Sequence, residues 1–410
     1  MTEEHKLISI DNYGRFIGQK AVERIRKKAK KLRHIHIVNV NSTYYGGGVA
    51  ELLSSLTLLM NSIGIRTGWR MIQGSPDFFS ITKKMHNALQ GAKINLSRRK
   101  KKIYEDVIYE NSIRNHLGHD IVIIHDPQPL PMIVHYKKRG PWIWRCHIDL
   151  TKPDKQLWGY LLKFIEKYDA MILSIKEYKQ KCRTPQFFFM PAIDPFTIKN
   201  RQFSEKEIDE RLKHYNIPVD LPIVAQISRF DQWKDPEGVI KAFKIARKEV
   251  KSTLVLLGNA ALDDPEGERV YHSLLKERDE RIIIISHQDT ALVNALQRKA
   301  AVILQKSIRE GFGLTVSEAM WKGAPVIGGN VGGIKYQIKD GVNGFLVSSI
   351  KETAERMVLL LKNRKLREKM GRLGQETVRK HFLMSRLLEN YLDLFNSFEA
   401  VYRINLRKGW

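Results

Sequence analysis

Glu310 and Glu318 bracket the run Glu310-Gly311-Phe312-Gly313-Leu314-Thr315-Val316-Ser317-Glu318-Ala319-Met320, which follows an apolar strand pattern and opens a helical one. The seven residues between the two glutamates make about two helical turns, so both carboxylates reach one side of one cleft. Gly311 and Gly313 permit close backbone approach, and the N–H groups at a helix start bind phosphate. Gly311, Phe312, Gly313, Leu314 and Thr315 are therefore candidate contacts to a diphosphate. Glu310, just before the turn, reaches a sugar joined to that phosphate. Glu318, inside the helix, reaches ribose hydroxyls. A second cluster, Ile227-Ser228-Arg229-Phe230-Asp231-Gln232-Trp233-Lys234, ends another apolar strand. Arg229 with its planar fork and Lys234 as a point charge suit a diphosphate clamp.

Three further segments carry reactive side chains at strand ends. Gly46-Gly47-Gly48-Val49-Ala50-Glu51 reads as a glycine turn between strand and helix, with Gly48 as a candidate donor contact. It departs from the G-x-G-x-x-G dinucleotide fingerprint, which counts against a nicotinamide oxidoreductase. His125-Asp126-Pro127-Gln128-Pro129 and His147-Ile148-Asp149 each close a strand. Asp126 and His147 are candidates for the reacting centre, and Gln128 and Asp149 for acceptor hydroxyls. No Asp-x-Asp pair occurs in the chain, and the adjacent Asp263-Asp264 reads as a loop. Neutralising a diphosphate then falls to Arg229, Lys234 and the loop amides. The expectation is no protein metal site and no tightly bound cofactor, with Mg2+ acting only through the nucleotide.

The elements that must hold these residues form two series. Apolar β-branched runs, as in buried parallel strands, occur at Ile35–Val40, Thr67–Met71, Asp120–Ile124, Trp142–Cys146, Ala170–Ser174 and Phe187–Met190. Helical patterns such as Val22–Leu32 and Val49–Ile63 lie among them. A polar stretch, Pro195–Leu221, reads as the linker region. A second series follows at Ile223–Ile227, Thr253–Leu257, Ile282–Ile285, Ala301–Leu304 and Pro325–Ile327, and Lys351–Phe398 is charged and helical. Alternating strands and helices predict doubly wound parallel sheets, α/β in class, with ligands at the carboxyl ends of the strands. The expected domains are 1–215, holding the acceptor, and 216–384, holding the donor, facing each other across a cleft.

Length and composition agree with two cores: 410 residues allow two α/β domains of roughly 200 residues, and 43% of the chain is hydrophobic. The net charge of +26 draws polyanions, so a nucleic-acid-binding protein is a rival reading. Its densest basic runs, Arg98–Lys102 and Lys27-Lys28 with Lys30-Lys31, lack any accompanying nucleic-acid motif and read as solvated helix faces. Cys146 and Cys182 form no C-x-x-C pair and read as two buried thiols in a reducing, cytoplasmic setting. The polar first nineteen residues do not read as a signal peptide, and no stretch has the length of a membrane span.

The run from Glu310 to Met320, followed by Gly323-Ala324-Pro325-Val326-Ile327 and Val331-Gly332-Gly333, resembles the family-4 glycosyltransferases, the retaining GT-B group. Arg229 to Lys234 resembles that family's arginine–lysine element, with Ser228 in place of its usual glycine and Asp235 after the lysine. The resemblance implies two facing Rossmann-like domains with a C-terminal helix, 385–410, crossing back onto the first. It implies that Glu310 contacts the donor sugar, that Glu318 holds the ribose, and that His147 lies near the transferred sugar. Ile72-Gln73-Gly74-Ser75-Pro76-Asp77-Phe78-Phe79, with the segments around Asp126 and His147, is similar to the trehalose glycosyltransferring synthases. That likeness implies reversible transfer from a nucleoside-diphosphate glucose to free glucose, giving α,α-trehalose, in a homodimer with no nucleic-acid or membrane partner. A sibling transferase using a sugar phosphate as acceptor stays open at this point.

Overall fold

The computed structural model describes residues 8–43, 47–258 and 265–407. Gly46, Asp263 and Asp264 lie outside the described residues, as do the first seven residues of the polar N-terminus. The chain forms two compact units, Met1–Ala192 with Met384–Trp410, and Ile193–Leu383.

The first unit holds six parallel strands: β1 (His36–Asn41), β2 (Arg66–Met71), β3 (Ile121–His125), β4 (Trp142–Arg145), β5 (Ala170–Leu173) and β6 (Gln186–Phe188). Their order is β2-β1-β3-β4-β5-β6. Every residue of β3, β4 and β5 is buried, which is why they read as unbroken apolar runs rather than alternating ones. The chain's last helix, Met384–Arg407, belongs to this unit. Glu389 accepts both forks of Arg24 at 2.6 and 3.0 Å and also Lys28 at 2.8 Å, tying it to helix Gln19–Lys30.

The second unit holds β7 (Ile223–Ile227), β8 (Thr253–Gly258), β9 (Ile282–Ser286), β10 (Val302–Gln305), β11 (Val326–Gly329) and β12 (Phe345–Val347), again all parallel. Their order is β12-β11-β10-β7-β8-β9. In such sheets the crevice that takes a ligand opens where the strand order reverses. Those points are β1/β3 in the first unit and β7/β10 in the second.

Several expectations need correcting. Pro195–Leu221 is not simply linker: helix Glu205–His214 forms within it, buries Ile208 and Leu212, and packs on helix Thr290–Lys299. Arg211–Asp289 (3.2 Å) and Lys299–Asp209 (2.9 Å) bind that helix to the second unit, so the units part between Ala192 and Ile193 rather than at 215/216. Lys351–Phe398 is helical as expected, divided among Ile350–Lys362, Arg364–His381 and Met384–Arg407. Of the two thiols only Cys146 is buried; Cys182 is partly exposed. The Arg98–Lys102 run is the start of helix Arg98–Arg114, where Lys102 pairs with Asp106 at 2.7 Å and Lys101 lies over the Tyr160 ring. Among the described residues no helix is long and apolar enough to cross a membrane.

Candidate active site

In the second unit, side chains from the ends of β7 and β10 converge on one carboxyl. Lys234 Nζ donates to Glu310 Oε2 at 2.5 Å, Ser307 Oγ at 3.0 Å and Gln305 Nε2 at 3.1 Å. The lysine and glutamate side chains are only 15% and 10% exposed. Burial pushes the Glu310 carboxyl up, but the Lys234 charge and the three hydrogen bonds outweigh it, and the group ends below the usual glutamate range. Glu310 is therefore ionised at neutral pH.

Local structure fixes Lys234 from three directions. Gln226, on β7, donates to the Lys234 carbonyl at 2.7 Å. Asp231 caps the short 3-10 turn Gln232–Lys234, and Asp235, at φ 50°, caps helix Pro236–Ala246 and pairs with Lys306. Arg229 is half-exposed and lies 3.4 Å from the buried Asp231 carboxylate. It is not part of the Glu310 cluster.

Gly311 and Gly313 carry the chain from Glu310 into helix Leu314–Trp321. Gly313 sits at φ 83°, and a Cβ there would come within 3.2 Å of Glu310 Cγ and Ile334 Cγ1. No side chain caps this helix start, which leaves the first-turn amides at Leu314 and Thr315 to a ligand. Phe312 lies in the same loop. Its ring is buried against Phe382, centroids 5.7 Å apart, and its carbonyl accepts from Gln337 Nε2 at 2.7 Å. Its side chain therefore holds the loop, and only its backbone remains for a ligand.

Glu318 lies one turn into the same helix, 3% exposed, with Oε1 held by Lys199 Nζ at 3.1 Å. Its other oxygen, Oε2, is buried and takes no hydrogen bond among the described residues. Lys322 Nζ ties Asn200 Oδ1 (2.9 Å), Gln297 Oε1 (2.7 Å) and the Glu318 carbonyl (3.1 Å), fixing the Lys199–Asn200 segment beside the helix.

In the first unit, Asp126 and His147 meet: the His147 N–H donates to Asp126 Oδ1 at 2.8 Å. Asp126 is a non-glycine residue at φ 61°, in the left-handed region, a strained conformation that recurs at functional sites. Burial raises its carboxyl to about 7, against the lowering influence of the His147 N–H and Arg145. His147 shares a 3.0 Å hydrogen bond with His125, and His125 another with Asn39. Burial, with Arg145 adding repulsion, drives His125 down to about 3 and His147 well below its usual range, so both are neutral. Arg145 is wholly buried and donates to the carbonyls of Leu173 (3.0 Å) and Phe189 (2.7 Å). Gln128 keeps a buried Oε1 with no partner among the described residues. Asp149, by contrast, is spent on a local turn, accepting from the Thr151 N–H and hydroxyl at 2.8 and 2.5 Å. Gly48 lies exposed in the first turn of helix Gly47–Ser62.

Sequence reading missed Gln305, Ser307, Lys199, Asn39 and His125. Asn39 alone carried a visible signal, a polar residue inside the apolar run of β1.

Comparison with known proteins places the chain in a family. Residues 39–180 match the family model described as trehalose synthase, N-terminal domain, and residues 207–377 match glycosyl transferases group 1. The chain is 43% identical over 398 residues to a trehalose synthase of Pyrococcus horikoshii, covering 95% of this chain and 96% of the relative. It is 42% identical over 399 residues to a trehalose synthase of Thermococcus litoralis, covering 95% and 97%. Among solved structures, sucrose-phosphate synthase from Thermosynechococcus elongatus superposes with a TM-score of 0.71 at 16% identity, covering 90% of this chain and 100% of that one. With relatives this similar over nearly its whole length, the chain belongs to the trehalose synthase family and is a glycosyltransferase of the GT-B fold.

Proposed function

We propose that the chain moves glucose, with retention, from a nucleoside-diphosphate glucose to free glucose, giving α,α-trehalose and a nucleoside diphosphate in a reversible reaction. The observation that carries this is the buried Lys234–Glu310 pair beside an uncapped helix start at the β7/β10 reversal. The bond from the sugar C1 to the β-phosphate oxygen breaks, and a bond from C1 to the acceptor oxygen forms. The acceptor's proton passes to the departing phosphate. Arg229, Lys234 and the amides of Gly311 to Thr315 absorb the charge that grows on that phosphate. Glu310, ionised at neutral pH, accepts from donor-sugar hydroxyls and holds Lys234 in place. Glu318 takes the ribose.

Two features support glucose over a sugar phosphate as acceptor. The relatives above are trehalose synthases. The described groups at the ends of β1, β3 and β4 include no available cation: His125 and His147 are neutral, and Arg145 is turned inward to main-chain carbonyls. A phosphate would need paired charge there, whereas hydroxyls need only hydrogen bonds. Incubation with UDP-, ADP- or GDP-glucose and either free glucose or glucose 6-phosphate tests this, with products identified by NMR. A non-reducing disaccharide from free glucose is expected. A phosphorylated product formed in preference would overturn the acceptor, and hydrolysis alone would overturn the transfer.

Lys199 enters the same reading through Glu318. Lys199→Met removes the cation that holds Glu318 Oε1, so the carboxylate is no longer fixed toward ribose hydroxyls. Nucleoside-diphosphate affinity is expected to fall about tenfold, with kcat at saturating donor nearly unchanged. Calorimetric titration measures it, and unaltered affinity would remove Lys199 from donor binding.

A further inference from the structure

Three polar side chains of the first unit form a line that the transfer step above leaves unused. Asn39 Oδ1 lies 3.0 Å from His125 Nε2, and His125 Nδ1 lies 3.0 Å from His147 Nε2. The two ring planes differ by 14° with centroids 5.4 Å apart. The rings therefore meet edge to edge, and the in-plane hydrogen of one nitrogen points at the lone pair of the other. A carbonyl oxygen only accepts, so His125 Nε2 carries a proton and His125 Nδ1 does not. His147 Nε2 must then donate, which leaves His147 Nδ1 unprotonated.

We propose that Asn39 and His125 are positioning residues that lock His147 in its Nε2–H tautomer, so that its Nδ1 presents a hydrogen-bond acceptor to a sugar hydroxyl. The sugar-facing half rests on the proposed function; the tautomer does not.

The burial pattern argues that this line is not simply a way of satisfying core polar groups. Asn39 is 1% exposed, between Val38 and Val40 on β1. Only its oxygen is used; among the described residues its buried Nδ2 has no partner. An asparagine kept for packing alone would leave a costly unpaired donor where an apolar residue fits better. Neutrality comes from burial: a second proton on either ring would put a desolvated positive charge near the buried Arg145. No described residue pairs with His147 Nδ1, and the residue as a whole is partly exposed. The order of the line also fits the fold. Asn39 lies on β1, His125 ends β3, and His147 follows β4, so the relay crosses the point where strand order reverses.

Histidine-selective 15N labelling of the full chain, with long-range proton–nitrogen correlation at neutral pH, reads the tautomers directly. Both His125 and His147 are expected as Nε2–H. A proton on His147 Nδ1 overturns the relay, whatever the enzyme makes. In Asn39→Leu the acceptor for His125 is gone, and His147 is expected to populate its other tautomer. The KM for the hexose acceptor is then expected to rise about tenfold while nucleoside-diphosphate binding holds. An unchanged tautomer in this variant overturns the role of Asn39, and a changed tautomer with unchanged acceptor KM overturns the sugar-facing role. If Asn39→Leu does not fold, the native spectrum alone decides. A correct tautomer in a protein that transfers to no sugar would sink the proposed function and leave the relay standing.

Discussion

Glu310→Gln is expected to lower kcat by a factor on the order of 10² to 10³, the size of effect seen when one preorganised polar contact at a reacting centre is lost. The substitution conserves volume, and Ser307 and Gln305 still find an oxygen to donate to. What it removes is the charge. The native carboxylate resists protonation because Lys234 lies at 2.5 Å, so it acts as a fixed anion and not as a proton donor. With an amide there, Lys234 loses its electrostatic tether and sugar hydroxyls meet a weaker acceptor. Steady-state release of nucleoside diphosphate measures the loss, and circular dichroism checks the fold. Turnover within a few-fold of the parent would take Glu310 out of the reaction.

The strands were legible because burial on both faces erases alternation. β3, β5 and β7 are near-continuous Ile, Val, Leu, Met and Ala, and no solvated helix reads that way. β12 went unread: Phe345–Val347 is three residues long, too short for periodicity to register. Helix Glu205–His214 was read as linker because its surface is charged. Its signal was the capping box, Ser204 with Glu207 three residues on, not the apolar spacing. The loop around Glu310 was legible because its glycines and carboxylates sit in one contiguous run. Lys199 was not, since its pairing with Glu318 spans most of the second unit and lysines abound in this chain. The turn that Asp149 makes with Thr151 has the same origin. Sequence places a residue at a strand end, but only packing decides whether its side chain faces a ligand or turns inward.

Lys234→Met is expected to act on stability and turnover together. Removing one member of a buried ion pair leaves the other charged and desolvated, a loss of about 3–5 kcal/mol in comparable cases. The hydrogen bonds from Ser307 and Gln305 remain, which sets the expectation at the lower end. Glu310 then loses its largest stabiliser while burial still opposes ionisation, so its pKa rises. In the parent, the depressed pKa contributes stability that is present above the unfolded glutamate value and lost as pH falls through the folded one. In the variant that contribution disappears, and the acid limb of the pH–rate profile moves to higher pH. Urea unfolding and a kcat profile across pH measure the two effects. The double variant Lys234→Met with Glu310→Gln removes both charges, so it should recover part of the stability but none of the turnover. Recovery of neither would mean that the pair acts through packing and not through charge. Recovery of turnover would mean that the leaving diphosphate does not depend on Lys234.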